Sequence, residues 1–143
     1  MIVGAGSIGV EVALDLHRAG KQVSVIDAQD EAAAYAQLHK AIATGAGEFR
    51  RIFAEEGIHV SYDTALVEIR PEGVQVKNTI SGEKQFIPCD SVLLATGMKA
   101  RLETVDELRH CAPETDVYIV GDCLKAATIS EAVNGAFQAC LHI

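Results

Sequence analysis

Hydrophobic and polar residues follow a helical period in the first part of the chain. Apolar residues recur at helical spacing in residues 7–19, which predicts a helix between a short strand at 1–4 and a second strand at 21–27. Residues 29–56 are rich in alanine and are also predicted to be helical, with a break at Thr44–Gly47 and a stop at Gly57. The chain therefore begins with a βαβ unit.

After Ile58 the pattern of apolar and polar residues changes from a helical period to a period of two. Four short alternating segments, at residues 59–62, 66–70, 74–77 and 85–87, predict one strand followed by an antiparallel β-meander. The continuous apolar run at 91–95 predicts a parallel strand buried on both faces, and a polar connection follows it. Residues 117–120 predict another buried strand.

The last segment, Thr128 to Ile143, has apolar residues at helical spacing, and Thr128 and Glu131 are placed to form a capping box. The order of elements predicts the α/β class: a Rossmann-like, doubly wound parallel sheet with an inserted antiparallel β-meander. We expect residues 1–97 to form a dinucleotide-binding domain. Residues 98–143 would supply a connection, a strand and a helix.

Composition and charge exclude several classes of partner. The 143 residues are 49% hydrophobic, which is enough for a packed core. Acidic residues outnumber basic ones by 20 to 12, so nucleic acid is not an expected partner. No apolar stretch approaches the roughly 20 residues that span a bilayer, and no signal peptide is recognisable. We therefore expect a cytoplasmic protein with no membrane partner.

The four cysteines, at positions 89, 111, 123 and 140, are widely spaced and form no pair typical of a metal site. Their apolar surroundings predict reduced thiols that pack as small hydrophobic side chains. We expect no metal site and no iron–sulfur cluster in this chain.

A glycine-rich loop carries the main functional signal. Gly4, Gly6 and Gly9 follow the pattern G-x-G-x-x-G between a predicted strand and a predicted helix. In such a loop the first glycine permits a tight turn, the second lets a pyrophosphate approach the backbone, and the third lets helix and strand pack closely. The amides of Ser7 and Ile8 would lie at the positive end of the helix, which predicts an anion cradle.

Asp27 ends the second predicted strand about 20 residues after the loop, where the dinucleotide fingerprint has an acidic residue. Its carboxylate would accept hydrogen bonds from the adenosine ribose and would repel a 2′-phosphate. No arginine follows it among residues 28–31 to receive such a phosphate. The sequence therefore favours NADH over NADPH.

Two other nucleotide-dependent classes fit the sequence poorly. A methyltransferase that uses S-adenosylmethionine usually has an acid just before its glycines, where this chain has Val3. A short-chain dehydrogenase needs a tyrosine with a lysine four residues later, and none of the three tyrosines has one.

A family resemblance rests on the order of the motifs. The glycine-rich loop with Glu11, the β-meander, Leu94-Ala95-Thr96-Gly97 and then Val117-Tyr-Ile-Val-Gly-Asp122 resemble the flavoproteins with two dinucleotide-binding domains. Within them the chain looks most like the NAD(P)H-binding, C-terminal portion of the NADH:flavin oxidoreductases, which include 2,4-dienoyl-CoA reductase, enoate reductase and trimethylamine dehydrogenase.

The resemblance implies roles for further residues. Thr96 and Gly97 would end the NADH domain near the cofactor, Gly121 and Asp122 would return to the FAD domain and contact FAD, and residues 98–143 would complete that domain. Glu11 would lie near the nicotinamide. An acidic residue in a first helical turn is equally explained by the helix dipole.

We therefore predict a module that holds NADH for hydride transfer to FAD, as a fragment of an enzyme whose FAD- and FMN-bearing domains lie elsewhere or in a flavoprotein partner. No catalytic residue is expected in this chain. The alternatives are an FAD-binding module and a non-catalytic domain that senses NADH or docks onto a partner. The strand at 117–120 would either join the NADH-domain sheet or pair with a second chain in a homodimer.

Overall fold

The computed structural model describes residues 1–41, 45–111 and 113–142. The chain divides into two compact units, Met1–Gly97 and Met98–Ile143. The first contains both sheets of the protein, and the second contains two helices and a single 3-10 turn among its described residues.

A parallel sheet of four strands forms the centre of the first unit. Its spatial order is β3-β2-β1-β7, so the chain first builds outward on one side of β1 and later returns to its other side. Such a reversal opens a crevice at the carboxyl ends of the strands. The strands are β1 (Ile2–Val3), β2 (Ser24–Ile26), β3 (His59–Ser61) and β7 (Leu93–Leu94).

Three helices cover one face of this sheet: α1 (Ser7–Arg18), α2 (Glu31–Ala41) and α3 (Ala46–Glu56). Their apolar sides pack on the buried residues Ile2 and Val25. The predicted break falls before α3, which Gly45 caps, while Thr44 lies outside the described residues. The predicted stop at Gly57 is confirmed, since that glycine has φ 71° and its amide donates to the carbonyl of Phe53.

An antiparallel sheet covers the opposite face. Its strands β4 (Thr64–Arg70), β5 (Gly73–Asn78) and β6 (Lys84–Pro88) form the predicted meander, in that spatial order. Val74 and Val76 of β5 are buried against Val3 and Ile26 of the parallel sheet. Burying each such valine contributes about 1.5 to 3 kcal/mol. The predicted α/β fold with an inserted meander is therefore confirmed.

The prediction that residues 91–95 are buried on both faces is wrong. Strand β7 lies at the edge of the sheet and pairs with β1 through Ile2–Leu93 and Val3–Leu94. Leu94 is consequently 57% exposed. An apolar run in the sequence does not distinguish an edge strand from a central one.

The second unit contains a helix where a polar connection was predicted. Helix α4 (Leu102–His110) precedes the 3-10 turn Gly121–Cys123 and helix α5 (Ile129–Cys140). Helix α4 has Glu103 in its first turn and Arg109 and His110 in its last turn, which is the favourable arrangement for a helix dipole.

The prediction of a buried strand at residues 117–120 is also wrong. Val120 has extended backbone, with φ −138° and ψ 157°, but this segment pairs with no strand in the part of the chain that the structure describes. Val117 and Tyr118 are 43% and 44% exposed. A strand needs a neighbour to complete its hydrogen bonds, and the described residues of the second unit contain none.

The capping box of α5 is confirmed. The Thr128 hydroxyl accepts a hydrogen bond from the Glu131 amide at 3.3 Å, and the Glu131 carboxylate accepts one from the Thr128 amide at 3.0 Å. The predicted apolar face of this helix is exposed rather than buried. Its members are Ile129, Val133, Phe137 and Leu141. Ile143, at the end of the predicted helix, lies outside the described residues.

All four cysteines are free thiols. Cys89 is half-buried and packs at the edge of the cluster around Val74, as predicted for a small hydrophobic side chain. The same interpretation is wrong for the other three cysteines, which are exposed. None of the helices in the described ranges combines the length and the apolar character needed to cross a membrane.

Candidate functional site

Gly4 turns the chain sharply at the end of β1. Its φ is 106°, a conformation that side chains disfavour, and its amide donates to the Ile26 carbonyl at 2.8 Å. A Cβ at this position would lie 2.4 Å from the Ala95 carbonyl oxygen. Only glycine therefore allows the loop after β1 to pass so close to the end of β7.

Gly9 lies where α1 meets the glycine-rich loop. A Cβ here would lie 1.9 Å from the Gly4 carbonyl oxygen and 3.5 Å from the Ala95 Cβ. Because backbone cannot move away as a flexible side chain can, α1 packs this closely only with glycine at this position. This is the geometry that the fingerprint predicts for its third glycine.

The region around Gly6 is open and polar. Apart from Gly6 and its two chain neighbours, no heavy atom of the described residues lies within 4 Å of where its Cβ would be. Gly6 caps α1 without a side-chain hydrogen bond, and the first turn of α1 contains no acidic residue. Within residues 1–41, 45–111 and 113–142, the amides of Ser7, Ile8 and Gly9 donate to no backbone carbonyl. The turn thus offers several free donors at the positive end of a helix.

Asp27 is held in place by two backbone amides. One carboxylate oxygen accepts a hydrogen bond from the Ala5 amide at 2.7 Å, and the other accepts one from the Gln29 amide at 2.9 Å. Each oxygen retains a further lone pair, because an ionised carboxylate has about four acceptor positions. Asp27 can therefore fix the glycine-rich loop and still accept hydrogen bonds from a ribose.

Thr96 and Gly97 lie next to this loop. The Ala95 amide donates to the Val3 carbonyl at 2.8 Å, which holds the end of β7 beside the end of β1. Thr96 and Gly97 follow and are exposed, and Gly97 has φ 89°. The structure therefore brings the loop, Asp27 and Thr96 together at the carboxyl edge of the parallel sheet.

Glu11 lies further along α1 than its predicted position. The helix begins at Ser7, so Glu11 falls in its second turn and is exposed. The explanation of Glu11 as a first-turn residue that stabilises the helix dipole is therefore wrong, because that effect fades within the first turn. Its placement near the nicotinamide stays a prediction.

Gly121 and Asp122 belong to the second unit. Gly121 has φ 69°, and one Asp122 carboxylate oxygen accepts a hydrogen bond from the Ala127 amide at 3.3 Å. Both residues line a cavity of about 320 Å³ beside Ala132 and Gly135 of α5. The proposed contact of Gly121 and Asp122 with FAD stays a prediction.

A charged pair beside the site was missed by the sequence analysis. Arg50 of α3 pairs with Glu31 of α2 at 2.5 Å, and its guanidinium carbon lies 5.7 Å from the centre of the Tyr35 ring. The residues directly after Asp27 contain no arginine, whereas tertiary packing supplies this one from α3. No local motif identifies it.

Tyr62 follows β3 at the same edge of the sheet. Burial raises the pKa of its phenol, and the carboxylates of Glu31 and Asp27 raise it further, against the opposite effect of Arg50. Three charged side chains therefore influence the Tyr62 phenol. It lines a cavity of about 240 Å³ together with Ala5, Glu31, Tyr35 and Arg50.

Comparisons with known proteins place these features in a family. The family described as pyridine nucleotide-disulphide oxidoreductase matches residues 1–139. A metal reductase of Desulforamulus reducens is 25% identical over 96% of this chain and 24% of its own length. A nitric oxide reductase FlRd-NAD(+) reductase of Escherichia coli K12 is 29% identical over 86% of this chain and 34% of its own length. The chain thus spans about a quarter to a third of these relatives.

Solved structures agree at the level of the fold. Histamine dehydrogenase from Rhizobium sp. 4-9 superposes with a TM-score of 0.76 over 96% of this chain and 22% of its own. The sequences are 19% identical, so this similarity shows the fold alone.

Proposed function

The chain belongs to the pyridine nucleotide-disulphide oxidoreductase family, and from this premise we propose that its first unit binds NADH within a flavin-dependent oxidoreductase. Domains of this family serve flavin-dependent reductases that use FAD and NAD(P). The chain's part is to bind and orient NADH so that its hydride faces FAD. The hydride chemistry itself belongs to the nicotinamide and the flavin.

The observation that carries the proposal is the convergence of the glycine-rich loop and Asp27 where the sheet reverses its strand order. The amides of Ser7, Ile8 and Gly9 would donate to the pyrophosphate, and the open space at Gly6 would admit it. Asp27, fixed by the Ala5 amide, would accept from the adenosine ribose hydroxyls. The residues present therefore fit a dinucleotide.

The preference for NADH over NADPH rests on charge. Asp27 would place its carboxylate beside the 2′-position of the ribose, where a phosphate would meet like charge. Asp30 and Glu31 follow within one turn and add to this repulsion. The relative from Escherichia coli is itself named for NAD(+), which supports the same choice.

The remaining predicted contacts form part of this proposal. Thr96 and Gly97 would lie against the cofactor beside the loop, and Glu11 would approach the nicotinamide. Gly121 and Asp122 would contact FAD once the rest of the enzyme is present. On the basis of the order of its motifs, we also propose that the chain belongs to the NADH:flavin oxidoreductases that resemble 2,4-dienoyl-CoA reductase.

Because the chain spans a minor part of its relatives, we propose that hydride is accepted outside these 143 residues, in FAD- and FMN-bearing domains or in a flavoprotein partner. A module of this kind would not turn over a substrate by itself. The second candidate is an FAD-binding module, since a glycine-rich loop with an acid at the next strand suits the adenosine half of any dinucleotide.

The proposal is tested by titrating the purified chain with NADH, NADPH and FAD in parallel by calorimetry. Saturable binding of NADH that exceeds that of NADPH supports the proposal. Tight binding of FAD without binding of NADH makes the chain a flavin-holding module instead. A protein that is folded by circular dichroism but binds none of the three contradicts both candidates.

A further inference from the structure

Close to Asp27, α2 and α3 place a carboxylate and a guanidinium in direct contact at the lining of one cavity. Glu31 comes from the first turn of α2, and Arg50 comes from the second turn of α3. Both line the cavity that also contains Ala5. The Ala5 amide is the group that holds Asp27 at 2.7 Å, so this charged pair lies next to the predicted ribose site.

The electrostatics of Tyr62 connect the pair with Asp27. Glu31 and Asp27 both raise the pKa of the Tyr62 phenol, whereas Arg50 lowers it. All three charges therefore act at one point of the carboxyl edge. The backbone holds the segment after Tyr62 beside the segment after β2, because the amide of Asp63 donates to the carbonyl of Gln29 at 2.9 Å and that of Thr64 donates to the carbonyl of Asp27 at 2.7 Å.

The ion pair between Glu31 and Arg50 is exposed to solvent. The two side chains are 52% and 63% exposed. Exposed pairs of this kind contribute little to stability, so the arginine is released at little cost. The guanidinium lies over the Tyr35 ring, and this contact keeps it at the cavity when another anion replaces Glu31 as its partner.

A guanidinium is a strong ligand for a phosphate, because its planar fork can donate two parallel hydrogen bonds to phosphate oxygens. In this chain Glu31 accepts one hydrogen bond from the Arg50 guanidinium and adds a second negative charge near Asp27. A ribose 2′-phosphate would have to displace Glu31 and then remain near two carboxylates.

We propose that Glu31 and Arg50 determine the selectivity between NADH and NADPH: Glu31 keeps the guanidinium of Arg50 occupied, and removing this carboxylate turns Arg50 into a ligand for the 2′-phosphate. This inference rests on the proposed binding of NADH by the first unit. It adds two selectivity residues, Glu31 and Arg50, that the pattern around Asp27 does not contain.

The test compares the ratio of the dissociation constants for NADPH and NADH in the wild-type chain and in variants. We expect Glu31→Gln to lower this ratio about threefold to tenfold, which corresponds to one exposed ion pair together with the loss of one repulsive charge. Adding Arg50→Met to Glu31→Gln should remove the part of the gain that depends on the guanidinium, so that the ratio rises again towards the wild-type value. The gain should also shrink between 50 mM and 500 mM NaCl, because salt screens exposed charges.

Glu48→Gln provides the matched control. Like Glu31→Gln, it removes one negative charge from an exposed ion pair, in this case the pair that Glu48 of α3 forms with Arg51 at 2.5 Å. Glu48 and Arg51 are not among the residues that line the cavity. This control should leave the ratio unchanged. An equal change in the ratio for Glu31→Gln and Glu48→Gln would show an effect of net charge alone and would overturn the inference.

Two further outcomes separate this inference from the proposed function. If all variants bind NADH but Glu31→Gln leaves the ratio unchanged, the selectivity inference is wrong and the NADH module stands. If circular dichroism shows that the wild-type chain and the variants are folded and none of them binds NADH, the proposed function is wrong and the inference is wrong with it.

Discussion

The carboxylate of Asp27 accepts a hydrogen bond from the backbone amide of Ala5 at 2.7 Å. This bond joins the end of β2 to the glycine-rich loop that follows β1. The group predicted to bind the ribose and the loop predicted to bind the pyrophosphate therefore have a fixed mutual position before any ligand arrives. Such preorganisation lowers the ordering cost of binding.

Replacing Asp27 by alanine should lower both stability and affinity. The Ala5 and Gln29 amides would lose their charged acceptor, which should reduce the free energy of unfolding by about 1 to 3 kcal/mol. NADH should bind at least about tenfold more weakly, as the ribose loses its acceptor. Urea denaturation and calorimetric titration measure the two effects.

Asp30→Ala is the control for this variant. Asp30 accepts a hydrogen bond from the Ala33 amide at 2.8 Å at the start of α2, so its loss should cost about 1 kcal/mol of stability. It should leave NADH affinity within about twofold, well under 1 kcal/mol. Equal losses of affinity for Asp27→Ala and Asp30→Ala would mean that Asp27 has no special role.

The second and third glycines of the loop should respond differently to alanine. In Gly9→Ala the new Cβ would meet the Gly4 carbonyl oxygen at 1.9 Å, and we expect a loss of about 1 to 3 kcal/mol in unfolding free energy. In Gly6→Ala the methyl group enters open space at an allowed φ of −71°, so stability should change by less than about 0.5 kcal/mol.

The affinity for NADH should show the opposite order: among folded proteins, Gly6→Ala should weaken NADH binding more than Gly9→Ala does. The methyl group of Gly6→Ala would lie on the face that a pyrophosphate has to approach, so NADH binding should weaken clearly although the fold is intact. Thermal unfolding and titration of both variants test the distinction. Unchanged NADH binding by Gly6→Ala would contradict the assignment of this loop as the pyrophosphate site.

Much of the first unit was predictable because its signals are local. The helical spacing within α1, the change of period at Ile58 and the antiparallel meander all appear in the sequence and in the structure. The exposure of Leu94 was not predictable, because whether a strand is at the edge depends on the whole sheet order. Arg50 was missed for a similar reason, since α3 brings it to the cavity from a distant part of the chain.

The second unit was predicted less well because its residues have few partners within the chain. The capping box at Thr128 is a local feature and was found. The strand at 117–120 depends on a neighbouring strand, which no sequence pattern within the segment can supply. Its exposed edge remains a template for association.

The N-terminal turn of α5 should depend on pH. Hydrogen bonds from the Thr128 amide and then from its hydroxyl hold the pKa of Glu131 below the ordinary glutamate value. A lowered pKa in the folded state means that the stabilisation is present above the ordinary value and is lost as the pH falls through the lowered one. Carbon chemical shifts of residues 129–132 should therefore show fraying of this turn as the pH falls below the ordinary glutamate pKa of about 4.3.

Glu131→Gln should remove this dependence, so that the same chemical shifts stay nearly constant over the acid range. A transition of equal size in the wild-type chain and in Glu131→Gln would attribute the change to other carboxylates and contradict the prediction.

The segment at 117–120, which pairs with no strand among the described residues, leads us to expect self-association. Extended backbone with exposed apolar side chains such as Val117 can pair with the same segment of a second copy. Sedimentation velocity should show a dimer whose fraction increases with protein concentration. Ile119→Pro, which removes a backbone donor, should weaken it, while Ile119→Ala retains the donor as a control. A monomer at every concentration would contradict this expectation.

The central claim is that the first turn of α1 holds the pyrophosphate of NADH. The most direct measurement follows the amide resonances of Ser7, Ile8 and Gly9 by nitrogen-15 NMR during titration with NADH. We predict large saturable shifts at these three amides and at Ala5, with small shifts in the meander. Saturable NADH binding that leaves these amides unshifted would contradict the account.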